Sequence, residues 1–408
     1  MKYAILIGDG MADYPVDDLQ GRTPLAAAKT PHMDFLATHG ELGLVRTIPE
    51  GMEPGSDVAN LAIMGYDPSV YHTGRAPLEA ASMGVNLAAN EVAFRCNLVT
   101  LRHASDGDIF MDDYSAGHID SNEARQLIIS INQTMGNGSR RFYPGVSYRH
   151  LLVWQGGQEN WRTYPPHDLS GQSVRAYLAG QGKEKPLLEL IKSSWPLLAS
   201  HPVNQLRRER GQKPATSIWL WGQGRAPQMP SLSERFGLTG AVISAVDLMR
   251  GIGIYAGLKP ILVPGVTGYL DTNYAGKVAA ALDALETMDF VYLHVEAPDE
   301  AGHSGDLKNK LQAIEDFDYR VVGPMLQGLQ SLGPHRVLLL PDHRTPISLK
   351  THSSEPVPFA LYDSRNRLSS QPRRFNEIAA EHTGLFVEKA DLLMRALIKP
   401  EKKRGCEK

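Results

Sequence analysis

Three short apolar runs, each stopping at an aspartate, constrain this chain more than any other feature. Tyr3–Ile7 (YAILI) ends in Gly8-Asp9-Gly10, Phe290–Val295 (FVYLHV) runs out near Asp299, and Val337–Leu340 (VLLL) ends in Pro341-Asp342-His343. Apolar runs of this length, bounded by Gly or Pro, suit strands buried on both faces, as in a parallel sheet covered by helices. Between them the period turns helical. Gly276–Met288 is rich in helix formers, and Leu307, Leu311, Ile314, Phe317 and Val321 recur along one face up to Leu329. Strand and helix in alternation predict an α/β fold, a mostly parallel sheet with right-handed crossovers. Ligands of such sheets bind outside the carboxyl ends of the strands. Asp9, Asp299 and Asp342 all fall there, so distant segments are expected to converge.

The middle of the chain follows another grammar. Strands are expected at 92–101 and 147–154 and helices near 122–135 and 186–207, separated by Gly- and Pro-rich loops. Thr239–Leu258 then resumes the strand-then-helix pattern. The expectation is a smaller α+β domain at 86–228, inserted into a domain built from 1–85 and 229–408. A length of 408 residues accommodates both. The tail Glu401–Lys408 reads as a solvated end.

Composition narrows the function classes. A net charge of −3 gives no general attraction to nucleic acid or anionic membrane. Cys96 and Cys406 are the only cysteines and lack any partner spacing, which excludes a disulfide framework and a cysteine-type zinc site and fits a reducing compartment. Only five residues separate Lys2 from Gly8-Asp9-Gly10, too few for a secretory signal. No apolar run approaches a membrane span. A cytoplasmic protein is expected.

Asp299 and His303 are spaced i, i+4, so on one helical turn a carboxylate and an imidazole meet on one face and can chelate a divalent ion. Alone, the pattern fits a solvated acidic loop as well. Asp342-His343 and His352 add three further donors beside a strand end. Three Asp side chains in one crevice repel unless cations neutralise them. In Pro54–Pro68 (PGSDVANLAIMGYDP), Ser56 opens a short helix ending at Gly65. It suits an N-cap, yet a helix start also attracts anions, and a hydroxyl beside a divalent ion loses its proton more readily.

Together, GDGMAD (8–13), PGSDVANLAIMGYDP (54–68), HVEAPDEAGHSGD (294–306) and DHRTPISLKTHSSEPVPF (342–359) resemble the alkaline phosphatase superfamily. Within it the chain is similar to the archaeal-type 2,3-bisphosphoglycerate-independent phosphoglycerate mutases. PGVSYRHLLVW (144–154), TSIWLWGQGRAP (216–227) and AVDLMRGIGIYAGL (245–258) extend the likeness over nearly the whole chain. The resemblance implies an alkaline-phosphatase-like sheet domain and two divalent ions, manganese or magnesium, in some members zinc or cobalt, with no 2,3-bisphosphoglycerate. One ion would be held by Asp299, His303 and His352. The other would be held by Asp9, Asp342, His343 and the Oγ of catalytic Ser56. The four negative charges of three Asp and a Ser alkoxide would balance two such ions. Relatives often carry a small residue where this chain has Arg344, which is read evenly as a phosphate contact or a surface ion pair.

The implied reaction interconverts 3-phosphoglycerate and 2-phosphoglycerate, a step of glycolysis and gluconeogenesis, through a phosphoserine. The partner is then a small phosphorylated hydroxy acid, with oligomerisation left open. A mutase must hold its dephosphorylated intermediate and exclude water, which calls for a lid bearing cations. The inserted domain is expected to supply it through Arg95, Asp113, His118, Arg149, His167 and Asp168, with Arg75 near the boundary. Glu50, Glu53, Glu296 and Glu300 are read as supporting or solvated, and His294 as a satisfied strand histidine. The alternatives are a homoserine-kinase-like or other metal-dependent phosphotransferase or phosphatase on the same site, or a metal-binding regulator without activity.

Overall fold

A computed structural model describes residues 1–366 and 371–398, so the tail Glu401–Lys408 lies outside the described residues. The chain divides into two compact units, Met1–His72 with Gln228–Lys408, and Thr73–Pro227. The second unit therefore begins at Thr73 rather than 86. The helix Arg75–Ser82 goes with it because Ala76 and Ala80 pack on Ala93, Leu151 and Val153 of the strands there.

The first unit is built on an eight-stranded sheet. Its order is Phe386–Val387, Glu41–Val45, Val357–Asp363, His335–Leu340, Lys2–Gly8, Phe290–Val295, Gly240–Ile243 and Lys259–Pro260. Only Val357–Asp363 runs antiparallel to its neighbours. The three aspartate-terminated runs are thus adjacent strands at the centre, with Ile7 in register with both His294 and Leu340. Ala4 to Ile7, Phe290 to Val295 and Val337 to Leu340 are fully buried. At about 1.5–3 kcal/mol per large aliphatic side chain, this burial locks the three carboxyl ends into one line.

Helices Tyr274–Thr287 and Leu307–Phe317 bury Ala281, Leu285, Ile314 and Phe317 in the core that contains Leu6, Leu293 and Leu339. The helical pattern expected to run from Leu307 to Leu329 is interrupted by a wide π turn at Asp318–Val322 before Gly323–Ser331. Pro324 cannot donate a backbone hydrogen bond, which favours the break. The Asp318 carboxylate uses it to accept from the backbone N–H of Met33 at 2.7 Å and to meet His32 Nδ1 at 2.8 Å.

The second unit is an antiparallel sheet centred on Glu91–His103, which pairs with Arg149–Gln155 and Ser217–Gly224 and, at its far end, with Ile109–Asp113. Arg140–Val146 closes the other edge. Helices Ser121–Met135 and Lys185–Ser200 cover it, burying Leu127, Ile131, Leu187 and Ile191 with Phe94 and Trp219. The expected helix over 186–207 is two, because Pro202 restarts the chain and the His201 ring accepts from Val203 N–H as a cap. Among the described residues, no helix is long and apolar enough to cross a membrane.

Candidate metal centre

The turn after Lys2–Gly8 is forced by glycine. Gly10 has φ +60°, and a Cβ there would lie 2.5 Å from Thr345 Oγ1 and 2.7 Å from Asp299 Oδ1. That approach brings Asp9 and the start of helix Ala297–Ser304 against the loop after His335–Leu340. Asp299 and His303, four apart on this helix, face each other with Oδ2 and Nε2 at 3.2 Å.

Two donor groups result. In one, His343 Nε2 lies 3.5 Å from Asp9 Oδ1, 3.4 Å from Asp342 Oδ2 and 3.0 Å from Ser56 Oγ. In the other, His303 Nε2 and His352 Nε2 face each other at 2.9 Å, and His352 Nε2 lies 3.5 Å from Asp299 Oδ1. His343 also stacks on His352, ring centres 4.0 Å apart, and can serve with Asp299 and His352 as one ligand set. His343 therefore sits where the two groups meet. All seven residues of the expected ligand set come together.

The electrostatics are those of a cation site. Burial, with the charges of Asp342 and Asp299, pushes the Asp9 carboxyl well above its ordinary range. Asp9 Oδ1 is buried without a hydrogen-bond partner. Burial raises Asp299 too, but hydrogen bonds from His303 and His352 hold it well below the usual carboxylate value. His303 is raised to about 9, first by its bond to Asp299, while burial lowers His343. The Nδ1 of His303 meets the Lys350 carbonyl at 3.0 Å, which leaves Nε2 as the lone-pair nitrogen of the neutral ring. Carboxylate and imidazole donors with an unpartnered buried oxygen fit a hard-to-borderline divalent ion such as manganese, magnesium, zinc or cobalt.

Ser56 is the first residue of helix Ser56–Ile63, and its side chain makes no cap bond; Gly55 holds the N-cap position. The capping reading is corrected, because the hydroxyl turns to His343 instead. One turn on, Asn60 donates to Asp342 Oδ2 at 2.7 Å and to the Ser56 carbonyl at 2.8 Å, and accepts from the Tyr292 hydroxyl. Neither Asn60 nor Tyr292 was picked out from the sequence. A polar residue four after Ser56, in the middle of an apolar helix, was the available signal. The Arg344 guanidinium donates to the carbonyls of Asp13 and Pro356, and no side-chain carboxylate pairs with it among the described residues. His294 is satisfied at one nitrogen, its Nδ1 meeting Ser244 Oγ at 3.3 Å. Its Nε2 lies 3.0 Å from Asp9 Oδ2 but finds no aligned hydrogen bond.

In the second unit a cationic and aromatic group assembles by itself. Arg95 stacks 4.1 Å above Trp221 and pairs with Glu79 at 3.0 Å. His167 meets the edge of the same Trp221, and Tyr114 faces His118, Tyr148 and His167. Arg149 lies over Tyr148. Burial, and then the neighbouring Arg75 and Arg149 charges, lower the Arg95 pKa against the pull of Glu79. Asp113 is committed elsewhere, to Ser115 and Lys213, and Asp168 is exposed beside His167.

A family model described as 2,3-bisphosphoglycerate-independent phosphoglycerate mutase matches residues 37–204. A Methanosarcina barkeri protein named 2,3-bisphosphoglycerate-independent phosphoglycerate mutase is 55% identical over 403 residues, covering 98% of this chain and 100% of that one. Among solved structures, a Pyrococcus horikoshii protein matches with TM-score 0.81 at 29% identity, covering 99% of both chains. A cofactor-independent phosphoglycerate mutase from Thermoplasma acidophilum matches with TM-score 0.64 at 26% identity, over 97% of this chain and 99% of that one.

Proposed function

The chain belongs to the 2,3-bisphosphoglycerate-independent phosphoglycerate mutases, and from that premise we propose that it interconverts 3-phosphoglycerate and 2-phosphoglycerate through phosphorylation of Ser56 beside two divalent ions. The observation that carries the proposal is the convergence of Ser56 Oγ and His343 Nε2 at 3.0 Å, with Asp9 and Asp342 oxygens within 3.5 Å of the same nitrogen. Asp9, Asp342, His343 and Ser56 would hold one ion, and Asp299, His303 and His352 the other. When bound, the ions neutralise the three carboxylates, polarise phosphoryl oxygens and ease the loss of the Ser56 proton.

Ser56 Oγ attacks the phosphorus of 3-phosphoglycerate; its bond to the C3 oxygen breaks and glycerate is released from the phosphoryl group. The C2 hydroxyl of the same glycerate then attacks phosphoserine, freeing Ser56. The proton gained at the C3 oxygen is balanced by the one lost from the C2 hydroxyl. Asn60 fixes Asp342 and the first turn of the Ser56 helix during both transfers. Arg75, Arg95 and Arg149 would hold the glycerate carboxylate, for which the planar guanidinium is suited. His118 and His167 would line the same substrate site. Manganese-loaded protein freed of 2,3-bisphosphoglycerate should convert 3-phosphoglycerate in an enolase-coupled assay. Absence of turnover with both ions bound would overturn the proposal.

A further inference from the structure

Thr345 is fully buried and touches both donor groups. Its Oγ1 lies 3.2 Å from His343 Nδ1 and donates to Asp299 Oδ1 in a short hydrogen bond. The His343 Nε2 faces the oxygens of Asp9, Asp342 and Ser56. A hydroxyl has one proton to donate and lone pairs with which to accept. With the Thr345 proton directed to the Asp299 carboxylate, its lone pair faces His343, which must then carry its proton on Nδ1 and leave Nε2 bare. We propose that Thr345 is a positioning residue that joins the two donor groups, setting the His343 tautomer for one ion and the Asp299 carboxylate orientation for the other. This rests on the two-ion reading of the site.

The rest of the surroundings explain why Thr345 can do this and water cannot. The Thr345 carbonyl accepts from the buried Lys310 ammonium at 2.6 Å, and Lys310 pairs with buried Asp13 at 2.7 Å. Asp13 in turn accepts from Ile347 N–H at 3.2 Å and its own N–H donates to Glu377. On the other side the helix bearing Asp299 packs so closely that a Cβ on Gly302 would lie 2.6 Å from the Thr345 carbonyl. The backbone of Thr345 is therefore clamped from both sides, and its hydroxyl has one fixed place between the ligands. Partners that orient ligands in this way typically alter metal affinity when removed, because the ligand loses its orientation and its tautomer.

The test is manganese titration calorimetry and thermal unfolding of metal-free and metal-loaded wild type, Thr345→Val and Thr345→Ser. Thr345→Val should weaken manganese binding about 10- to 100-fold and shrink the rise in Tm that metal gives, whereas Thr345→Ser should restore affinity to within about threefold. A side chain that only packs would lower both Tm values together and leave affinity unchanged, and that result overturns the proposal. If Thr345→Val does not fold, nitrogen-15 NMR of histidine-labelled, metal-free wild type decides: protonated Nδ1 on His343 supports the proposal and protonated Nε2 overturns it. Wild type that binds no divalent ion would overturn the two-ion reading itself, a different failure from equal affinity in wild type and Thr345→Val.

Discussion

Ser56 Oγ stands 3.0 Å from His343 Nε2 across 287 residues of chain. Because that hydroxyl makes no cap bond in its own helix, chemistry and folding can be separated at this residue. Ser56→Ala should cost less than about 1 kcal/mol of stability, the cap contribution being absent. It should lower mutase turnover by at least about 10⁴-fold, as expected for removing a nucleophile, while two ions remain bound. The coupled assay and metal analysis of one preparation check both halves.

Asp9 presents the opposite case, a carboxylate held against its own preference. Its carboxyl is raised by burial and by Asp342 and Asp299. Asp9→Asn should therefore raise the stability of metal-free protein by about 1–2 kcal/mol, in the manner of other destabilised functional residues. The same change should remove the stabilisation that manganese gives through the Asp9 site, which for a site at a thousand times its Kd amounts to about 4 kcal/mol, and leave that from the Asp299, His303 and His352 site. Thermal unfolding with chelator and with manganese measures the crossover.

Arg149 lies over Tyr148 and Arg95 over Trp221 in the second unit. Replacing either by Ala should reduce kcat/KM for 3-phosphoglycerate by about 10- to 100-fold, the range of a lost charge-assisted hydrogen bond of about 1.5–3 kcal/mol. Hydrolysis of p-nitrophenyl phosphate, which has no glycerate to hold, should fall less. Equal losses for both substrates would remove these arginines from the glycerate site.

His150 predicts an acid limb in stability. Gly145 N–H donates to its Nδ1, so Nε2 carries the proton and is buried without a partner. Burial lowers its pKa from 6.5 to about 3. Between those values the unfolded chain binds a proton that the folded one does not, so stability falls as pH drops from 6.5 towards 3. His150→Gln should flatten that slope in urea midpoints taken across the interval.

The central strands, their order of burial and the Asp299–His303 pair were legible because each depends on short-range pattern: an apolar run, a glycine or proline stop, a spacing of four. The resemblance of four ordered motifs added the seven residues that the structure brings together around His343 and Asp299. The unit boundary was not legible, since the packing of Ala76 and Ala80 on Ala93 and Leu151 leaves no local mark. The break at Asp318 was hidden as well, because its cause includes a carboxylate binding a helix nearly three hundred residues earlier.

By itself, then, the sequence determined which strands are buried on both faces and that aspartates end them, because strand burial and chain stops are written in neighbouring residues. Only the tertiary structure decided that Ser56 faces His343 rather than capping its helix, that burial and the neighbouring Asp342 and Asp299 charges raise the Asp9 carboxyl, and that Thr345 lies between the two donor groups. Each of those outcomes is set by which side chains the sheet order brings within about 3 Å, where hydrogen bonds form, and by burial, which makes every charge there depend on its neighbours.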